Sequence, residues 1–129
     1  MAAVIYADTH VVAWLYAGRA DLIPPRARAL IADHPLLVSP MVVLELEYLF
    51  ETRRTSEPAR RVLEVLGLDL GLRLCDLSFA AVAEVATRQS WTRDPFDRLI
   101  VAQAVLRRAP LITRDADIRA HYDRAVWGR

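Results

Sequence analysis

Residues 91–104 read WTRDPFDRLIVAQA, a polar start followed by an apolar run. Asp94 followed by Pro95 is typical of a helix start, because a carboxylate accepts hydrogen bonds from free backbone N–H groups and proline fits the first helical position. Asp97 falls in the first turn, where the positive end of the helix dipole favours an anion. The stretch therefore predicts a buried helix over residues 94–108. Two acids in a first turn are more often caps than catalysts, so the other segments must decide between these roles.

Short apolar runs alternate with amphipathic segments along the chain. Strands are predicted at residues 2–7, 36–38, 72–75, 110–113 and 125–127. Helices are predicted at residues 9–17, 26–33, 40 to about 54, 56 to about 70, 78–88 and 94–108, with a last helix that follows residues 114–117. Because apolar strands that alternate with helices indicate a parallel sheet covered on both faces, we expect one three-layer α/β/α domain over residues 1–129 with a mainly parallel central sheet.

Composition narrows the possible classes of protein. The hydrophobic fraction of 54% indicates a well-filled core or an apolar interface. No apolar run approaches the roughly 18 residues of a membrane span, and no signal-peptide pattern is present, so we expect a cytoplasmic protein that does not contact a membrane. The single Cys75 cannot form an internal disulfide, and we expect an inert buried thiol. One cysteine and three scattered histidines do not match a structural zinc site.

All 17 basic residues are arginine, and the chain contains no lysine. Arginine matches phosphate in a bidentate manner, although a bias in codon usage produces the same composition. Pairs of arginines occur at residues 53–54, 60–61 and 107–108. These pairs are either solvated helix faces or contacts for RNA, and the sequence leaves both interpretations open.

Four acids occupy positions that a packed α/β fold brings together. Asp8 and Asp115 each follow an apolar strand, and Asp97 begins a helix. Glu45 lies on the apolar side of its helix, where an isolated carboxylate is costly. Since parallel strands carry their ligand sites at their carboxyl ends, we expect these four side chains to meet at one edge of the sheet. Each strand-end acid can instead serve only as a helix cap.

A cluster of carboxylates implies a particular chemistry. Two carboxylates about 4 Å apart repel each other by about 4 kcal/mol at an effective dielectric constant of 20. A hard divalent cation relieves this repulsion, and Mg²⁺ binds through carboxylates and substrate phosphate. One or two such ions promote the displacement at a phosphodiester. The four acids therefore predict a metal site that acts on phosphodiesters.

At four places the chain resembles the PIN-domain family, and within it the VapC-type ribonuclease toxins of VapBC toxin–antitoxin pairs. The matching segments are YADTH at residues 6–10, SP at 39–40 followed by Glu45, RDPFDRLIVAQA at 93–104 and LITRD at 111–115. The resemblance implies an endoribonuclease that depends on Mg²⁺ or Mn²⁺. It also implies a homodimer and a cognate VapB-like antitoxin that inserts a peptide into the acidic groove.

The resemblance also assigns roles to the acids. Asp8, Asp97 and Asp115 would be metal ligands, directly or through water. Glu45 would hold or deprotonate the attacking water. All four would be catalytic residues.

Six polar neighbours have supporting roles by the same resemblance: Thr9, Asp94, Arg98, Thr113, Arg114 and Asp117. The two threonine hydroxyls would position water at the metal, and the two arginines would steady the phosphate or the acids. The two aspartates would be a helix cap and an acid that reaches the metal through water.

Two other kinds of domain are alternatives to the nuclease. A receiver-like phosphoacceptor domain is similar in size and also holds acids and Mg²⁺ at strand ends, but receivers rely on a lysine that this chain lacks. A non-catalytic PIN-like interaction module is the second alternative. The complete set of four acids argues against it.

Overall fold

A five-stranded parallel sheet forms the centre of the molecule, which a computed structural model describes for residues 3–128. In chain order the strands are β1 Ile5–Ala7, β2 Leu36–Val38, β3 Arg73–Leu74, β4 Leu111–Ile112 and β5 Ala125–Val126. Across the sheet the order is β3-β2-β1-β4-β5, and each neighbouring pair is parallel. The predicted parallel sheet is confirmed. Residue 2 of the predicted first strand, and residues 1 and 129 of the predicted domain, lie outside the described residues.

Helices flank the sheet and complete the predicted three-layer α/β/α architecture. They are α1 Thr9–Tyr16, α2 Pro25–Asp33, α3 Pro40–Glu51, α4 Ala59–Leu70, α5 Phe79–Ala86, α6 Pro95–Arg107 and α7 Ala116–His121. A short 3₁₀ helix, Ala20–Leu22, lies between α1 and α2. Within residues 3–128, none of the helices combines the length and apolar character needed to cross a bilayer.

The core lies on both sides of the central strands. Every residue of β1, β2 and β4 is buried, as expected for parallel strands that are covered on both faces. The middle of α6 is also buried and packs in the same core through Ile100 and Val101. Cys75 is free and buried as predicted, with its sulfur 2.9 Å from the hydroxyl oxygen of Tyr6.

The strand order decides between two kinds of α/β sheet. Here β2 and β3 lie on one side of β1, while β4 and β5 lie on the other. A receiver domain has the flavodoxin-like order 2-1-3-4-5, so the observed order excludes that alternative. It also creates a point between β1 and β4 at which the direction of winding reverses, and open α/β sheets bind ligands at such points.

The ends of α3 and α4 differ from their predicted positions. Helix α3 stops at Glu51, about three residues early, because the Thr52 hydroxyl bonds to backbone carbonyls of the last turn and Arg53 adopts a left-handed conformation with φ of 62°. The predicted cap Ser56 makes no capping bond to α4. Instead, the Ala59 N–H at the start of α4 donates to the Glu47 carboxylate, 3.0 Å away. A tertiary contact has therefore replaced a local cap.

Tyr122, which follows α7, is hydrogen-bonded to the end of α6. Its buried hydroxyl donates to the carbonyl oxygens of Ala104 and Ala109, which flank the left-handed residue Arg108 at the end of α6. Burial raises the pKa of Tyr122 to about 12, so this hydroxyl remains a donor throughout the ordinary pH range.

Tyr122→Phe is expected to lower the free energy of unfolding by about 1–2 kcal/mol, because buried carbonyl groups lose a hydrogen-bond donor. Chemical denaturation at neutral pH measures the change. Tyr48→Phe is the matched control, since the side chain of Tyr48 is exposed and its hydroxyl makes no hydrogen bond within residues 3–128. Equal stability of the two variants would contradict the role assigned to the Tyr122 hydroxyl.

Candidate functional site

An acidic cleft of about 430 Å³ opens at the carboxyl ends of β1 and β4. It lies at the point where the strand order reverses, because β1 and β4 are parallel neighbours whose following residues emerge at the same edge. Five of its lining residues are acids, and the full lining is Asp8, His10, Val11, Trp14, Glu45, Asp94, Asp97, Arg114 and Asp115. The structure thus brings the four predicted catalytic acids to one cleft.

Asp8 is the most deeply placed of these acids. It is buried at the start of α1, and its Oδ1 accepts a hydrogen bond of 2.8 Å from the Thr9 N–H. Its Oδ2 accepts a hydrogen bond of 2.7 Å from the fully buried Thr113 hydroxyl. Burial raises the pKa of the Asp8 carboxyl, and the two hydrogen bonds oppose that rise. The residue that follows β4 therefore orients the acid that follows β1.

Glu45 reaches the cleft from α3. The Thr9 hydroxyl donates to its Oε1 over 2.5 Å. The side chain is half-buried rather than fully enclosed, as expected of an acid that lies on the apolar side of a helix but faces a cleft. Burial raises the pKa of Glu45, the bond from Thr9 lowers it, and the charge of Asp8 raises it further. Thr9 and Thr113 thus hold carboxylates, a contact that was not predicted from the sequence.

Asp94 and Asp97 stand together at the start of α6. Asp94 is the predicted helix cap, and its Oδ1 accepts hydrogen bonds from the N–H groups of Phe96 and Asp97 at 2.8 and 3.5 Å. Both aspartates also line the cleft. The pKa of Asp97 rises from 3.8 to about 7, first because of burial and then because of the charges of Asp94 and, more weakly, the other acids of the cleft. The acids are therefore close enough to repel one another.

Asp115 and Arg114 complete the cleft on the side of α7. Asp115 is exposed, and its carboxylate caps α7 by accepting the Ile118 N–H at 2.9 Å. Its own N–H donates to the hydroxyl oxygen of Thr113, 3.0 Å away. That threonine consequently connects Asp115 to Asp8 through two hydrogen bonds.

Four of the six predicted supporting residues do not line the cleft: Thr9 and Thr113, which bond to its acids, and Arg98 and Asp117. The Arg98 guanidinium donates to the backbone carbonyls of Thr92 and Ala86 at 2.9 and 3.4 Å, so it clamps the loop between α5 and α6. Asp117 is exposed in the first turn of α7. Of the two predicted arginines, only Arg114 lies where a phosphate could approach the acids.

Three cleft residues were not predicted from the sequence. His10, Val11 and Trp14 all belong to α1. They follow Asp8 by two, three and six residues, so they lie in the first two turns of the helix that this acid begins. Helical spacing from Asp8 would have identified Val11, and the i, i+4 relation between His10 and Trp14 would have identified their shared face.

The donors in the cleft suit a hard cation. Within residues 3–128, no three His, Cys, Asp or Glu side chains converge closely enough to enclose a metal ion. However, Mg²⁺ usually keeps several waters and binds through only one or two carboxylates. The cleft offers oxygen donors, and mutual repulsion contributes to the raised pKa of Asp97. The residues present therefore fit a hydrated divalent cation.

Comparison with known proteins identifies the family. The family model for the PIN domain matches residues 5–124. No curated protein matches the chain in sequence. Among solved structures, VapBC2 from Rickettsia felis bound to a DNA fragment from their promoter is similar, with a TM-score of 0.64 and 18% identity over 91% of this chain and 92% of that chain. A toxin–antitoxin complex from Klebsiella pneumoniae is similar, with a TM-score of 0.65 and 24% identity over the same shares. The match over residues 5–124 shows that this chain belongs to the PIN-domain family.

Proposed function

We propose that this protein is an endoribonuclease that depends on Mg²⁺ or Mn²⁺ and acts as the VapC-type toxin of a toxin–antitoxin pair. The observation that carries the proposal is the convergence of Asp8, Glu45, Asp97 and Asp115 on one cleft at the switch point of a parallel sheet. PIN domains are generally nucleases, which supports a nuclease activity. The fold similarity to toxin–antitoxin proteins supports the toxin role.

Three of the acids would hold the hydrated cation, each directly or through water. Asp8, Asp97 and Asp115 line the cleft with oxygen donors from three different elements. When bound, the ion would supply positive charge against the negative charge that develops on a phosphodiester during hydrolysis. Thr113 restricts Asp8 to one orientation, so less conformational freedom is lost when this acid engages a ligand.

Glu45 has the character of a general base. Its raised pKa brings it nearer to neutral pH than an ordinary glutamate, and this improves its ability to accept a proton from an attacking water. The Thr9 hydroxyl fixes the carboxylate at the edge of the cleft. Arg114, the arginine in the cleft, would contact the substrate phosphate.

The proposal extends to the domain, its location and its partners. Residues 1–129 would form one PIN-like domain that works in the cytoplasm as a homodimer. A VapB-like antitoxin would neutralise it, and RNA would be its substrate. The second candidate is a non-catalytic PIN-like interaction module. Metal binding and turnover distinguish the two.

Wild-type protein is expected to bind Mn²⁺ in calorimetry and to cleave RNA in its presence. Asp97→Asn and Glu45→Gln are each expected to lower the cleavage rate at least about 100-fold, because each removes a charge from the reacting site. Asp123→Asn, in the exposed loop before β5, is the matched control and should cleave normally. Normal cleavage by Asp97→Asn would remove this residue from the mechanism. Absence of Mn²⁺ binding by the wild type would favour the non-catalytic module.

The stability of the metal-free protein is expected to fall as the pH rises from about 4 to 7. In this window the unfolded chain has released the proton of Asp97, whereas the folded protein, with a pKa of about 7 at this residue, still holds it. Asp97→Asn should therefore stabilise the metal-free protein by about 1–2 kcal/mol at pH 8 after allowance for solvent screening, and by much less at pH 5.

Thermal unfolding in the presence of a chelator at both pH values measures this effect, with Asp123→Asn as the control. Addition of Mg²⁺ should raise the melting temperature of the wild type more than that of Asp97→Asn, because the ion binds only to the folded protein. A pH-independent difference between wild type and Asp97→Asn would show that repulsion and burial at Asp97 do not affect stability.

A further inference from the structure

Hydrogen bonds join three of the four acids, and Asp97 stands apart from them. The two threonines described above connect Asp8, Glu45 and Asp115 into one hydrogen-bonded chain. Within residues 3–128 no group donates a hydrogen bond to the Asp97 carboxylate, and the N–H of this residue donates to Asp94 in its own helix turn. The position of Asp97 in the cleft therefore depends on the contacts that hold the start of α6 against neighbouring segments.

The loop before α6 contacts α7 through two stacked rings. The ring centroids of Trp91 and His121 lie 4.9 Å apart, and the ring planes differ by 5°. This separation falls within the roughly 4.5–7 Å of favourable aromatic pairs. Trp91 is half-buried against the main core, whereas His121 is exposed. The stack thus joins the segment that leads into Asp97 to the helix that begins at Asp115.

A hydrogen bond holds each ring in its orientation. The Trp91 Nε1–H donates to the side-chain oxygen of Gln89 over 2.8 Å. The His121 Nδ1 lies 2.8 Å from the carbonyl oxygen of Asp117, and because a carbonyl only accepts, Nδ1 carries the proton in this contact. Neither ring can rotate without losing a hydrogen bond, so a displacement of one segment is transmitted to the other.

Short hydrogen bonds connect Trp91 to the start of α6. The Arg98 guanidinium, which belongs to α6, donates to the carbonyl oxygen of Thr92 over 2.9 Å. The Asp94 N–H donates to the hydroxyl oxygen of Thr92, 3.2 Å away. Asp94 in turn caps the helix whose first turn contains Asp97. The residue next to Trp91 is therefore fixed to the turn that carries the acid.

Helix α7 is short, and few of its side chains pack against the core. Of its residues, Ile118 is buried and the others are exposed. Asp115 caps its first turn, and His121 is its last residue, so the acid and the ring lie at opposite ends of one short helix. Without the stack, the helix would be free to pivot about Ile118 and to carry Asp115 away from Asp97.

We propose that Trp91 and His121 are positioning residues of the cation site, because their stack sets the separation between Asp97 and Asp115. The inference rests on the proposed function and adds how the affinity of the cleft for Mg²⁺ or Mn²⁺ is set. Both acids line the cleft, while within the described chain neither ring belongs to its lining. The two rings therefore act through the acids and do not touch the ion.

The first test is Mn²⁺ binding to the full chain, measured by calorimetry. His121→Leu removes the ring and should weaken binding about threefold to tenfold, which is the range that the energy of one aromatic pair allows. His121→Phe keeps a ring that can stack and should bind nearly as tightly as the wild type. Since phenylalanine cannot ligate a metal, this recovery also excludes direct ligation by the His121 ring.

A matched control separates positioning from stability. Ile23 is fully buried between the 3₁₀ helix and α2 and does not line the cleft. Ile23→Val should lower the stability of the fold about as much as loss of the stack does, yet leave Mn²⁺ affinity unchanged. Equal weakening of Mn²⁺ binding by Ile23→Val and His121→Leu would overturn the proposal and leave the stack with a purely structural role.

Two residues that act through one stack should show a single effect. Trp91→Leu should weaken Mn²⁺ binding as His121→Leu does, and the double variant should bind no more weakly than either single variant. Additive losses would show that the residues act independently and would contradict the proposal. If Trp91→Leu does not fold, the comparison of His121→Leu with His121→Phe decides the question without it.

The metal dependence of RNA cleavage gives a second readout. His121→Leu should need about threefold to tenfold more Mn²⁺ for half-maximal cleavage and should approach the wild-type rate when Mn²⁺ is saturating. A lower rate at saturating Mn²⁺ with an unchanged half-maximal concentration would contradict a role in positioning the metal ligands.

A measurement on the metal-free protein separates failure of this inference from failure of the proposed function. The Ile118 N–H donates to the Asp115 carboxylate, so its hydrogen exchange reports whether that acid keeps its place. Exchange should be faster in His121→Leu than in the wild type and should return to the wild-type rate in His121→Phe. Unchanged exchange in His121→Leu would overturn the inference. Absence of Mn²⁺ binding and of RNA cleavage by the wild type would instead overturn the proposed function, and exchange at Ile118 would still decide whether the stack positions the acid.

Discussion

The parallel pairing of β1 with β4 is the constraint on which the site depends. Its register places Tyr6 opposite Leu111 and Ala7 opposite Ile112, so the residues that follow both strands emerge side by side. The Thr113 hydroxyl can then donate to Asp8, although 105 positions separate the two residues in the chain. A slip of one residue would turn every side chain of β4 to the opposite face and break this contact. The geometry of the acids therefore follows from the packing of the sheet.

This arrangement places like charges where burial already disfavours them. The raised pKa of Asp97 reflects burial first and the neighbouring acids second. A folded protein tolerates such a site only because the rest of its core supplies the stability, and functional sites are where this kind of conflict accumulates. Three cleft acids also cap helices: Asp8 caps α1, Asp94 caps α6 and Asp115 caps α7. Capping and participation in the cleft are compatible, because one carboxylate oxygen accepts the backbone bonds and leaves the other to face the cleft or, in Asp8, to accept the Thr113 hydroxyl.

Helix α1 lines two cavities, the acidic cleft and a larger, more apolar space of about 640 Å³. It begins at the buried acid of β1 and presents Trp14 both to the acidic cleft and to the apolar space beside it. The left-handed Arg53 ends the neighbouring α3 early and leaves Arg53 and Arg54 at the rim of that space. The sequence contains three similar arginine pairs, and only the fold distinguishes the one that lines this space. Arg98 lies in a segment that matches the family, yet its guanidinium bonds to the loop between α5 and α6 and does not line the cleft.

The sequence by itself determined the alternation of strands and helices, the cap at Asp94, the buried Cys75 and the set of four acids. These features depend on local chemistry, namely hydrophobic periodicity, N–H groups at helix starts and the placement of acids after apolar strands. Only the tertiary structure decided the strand order, the bonds from both threonines to carboxylates, the cap of α4 by Glu47 and the position of Trp14 in the walls of two cavities. The physical reason is that each of these depends on contacts between segments far apart in the chain, whose register and approach are set by packing of the whole core.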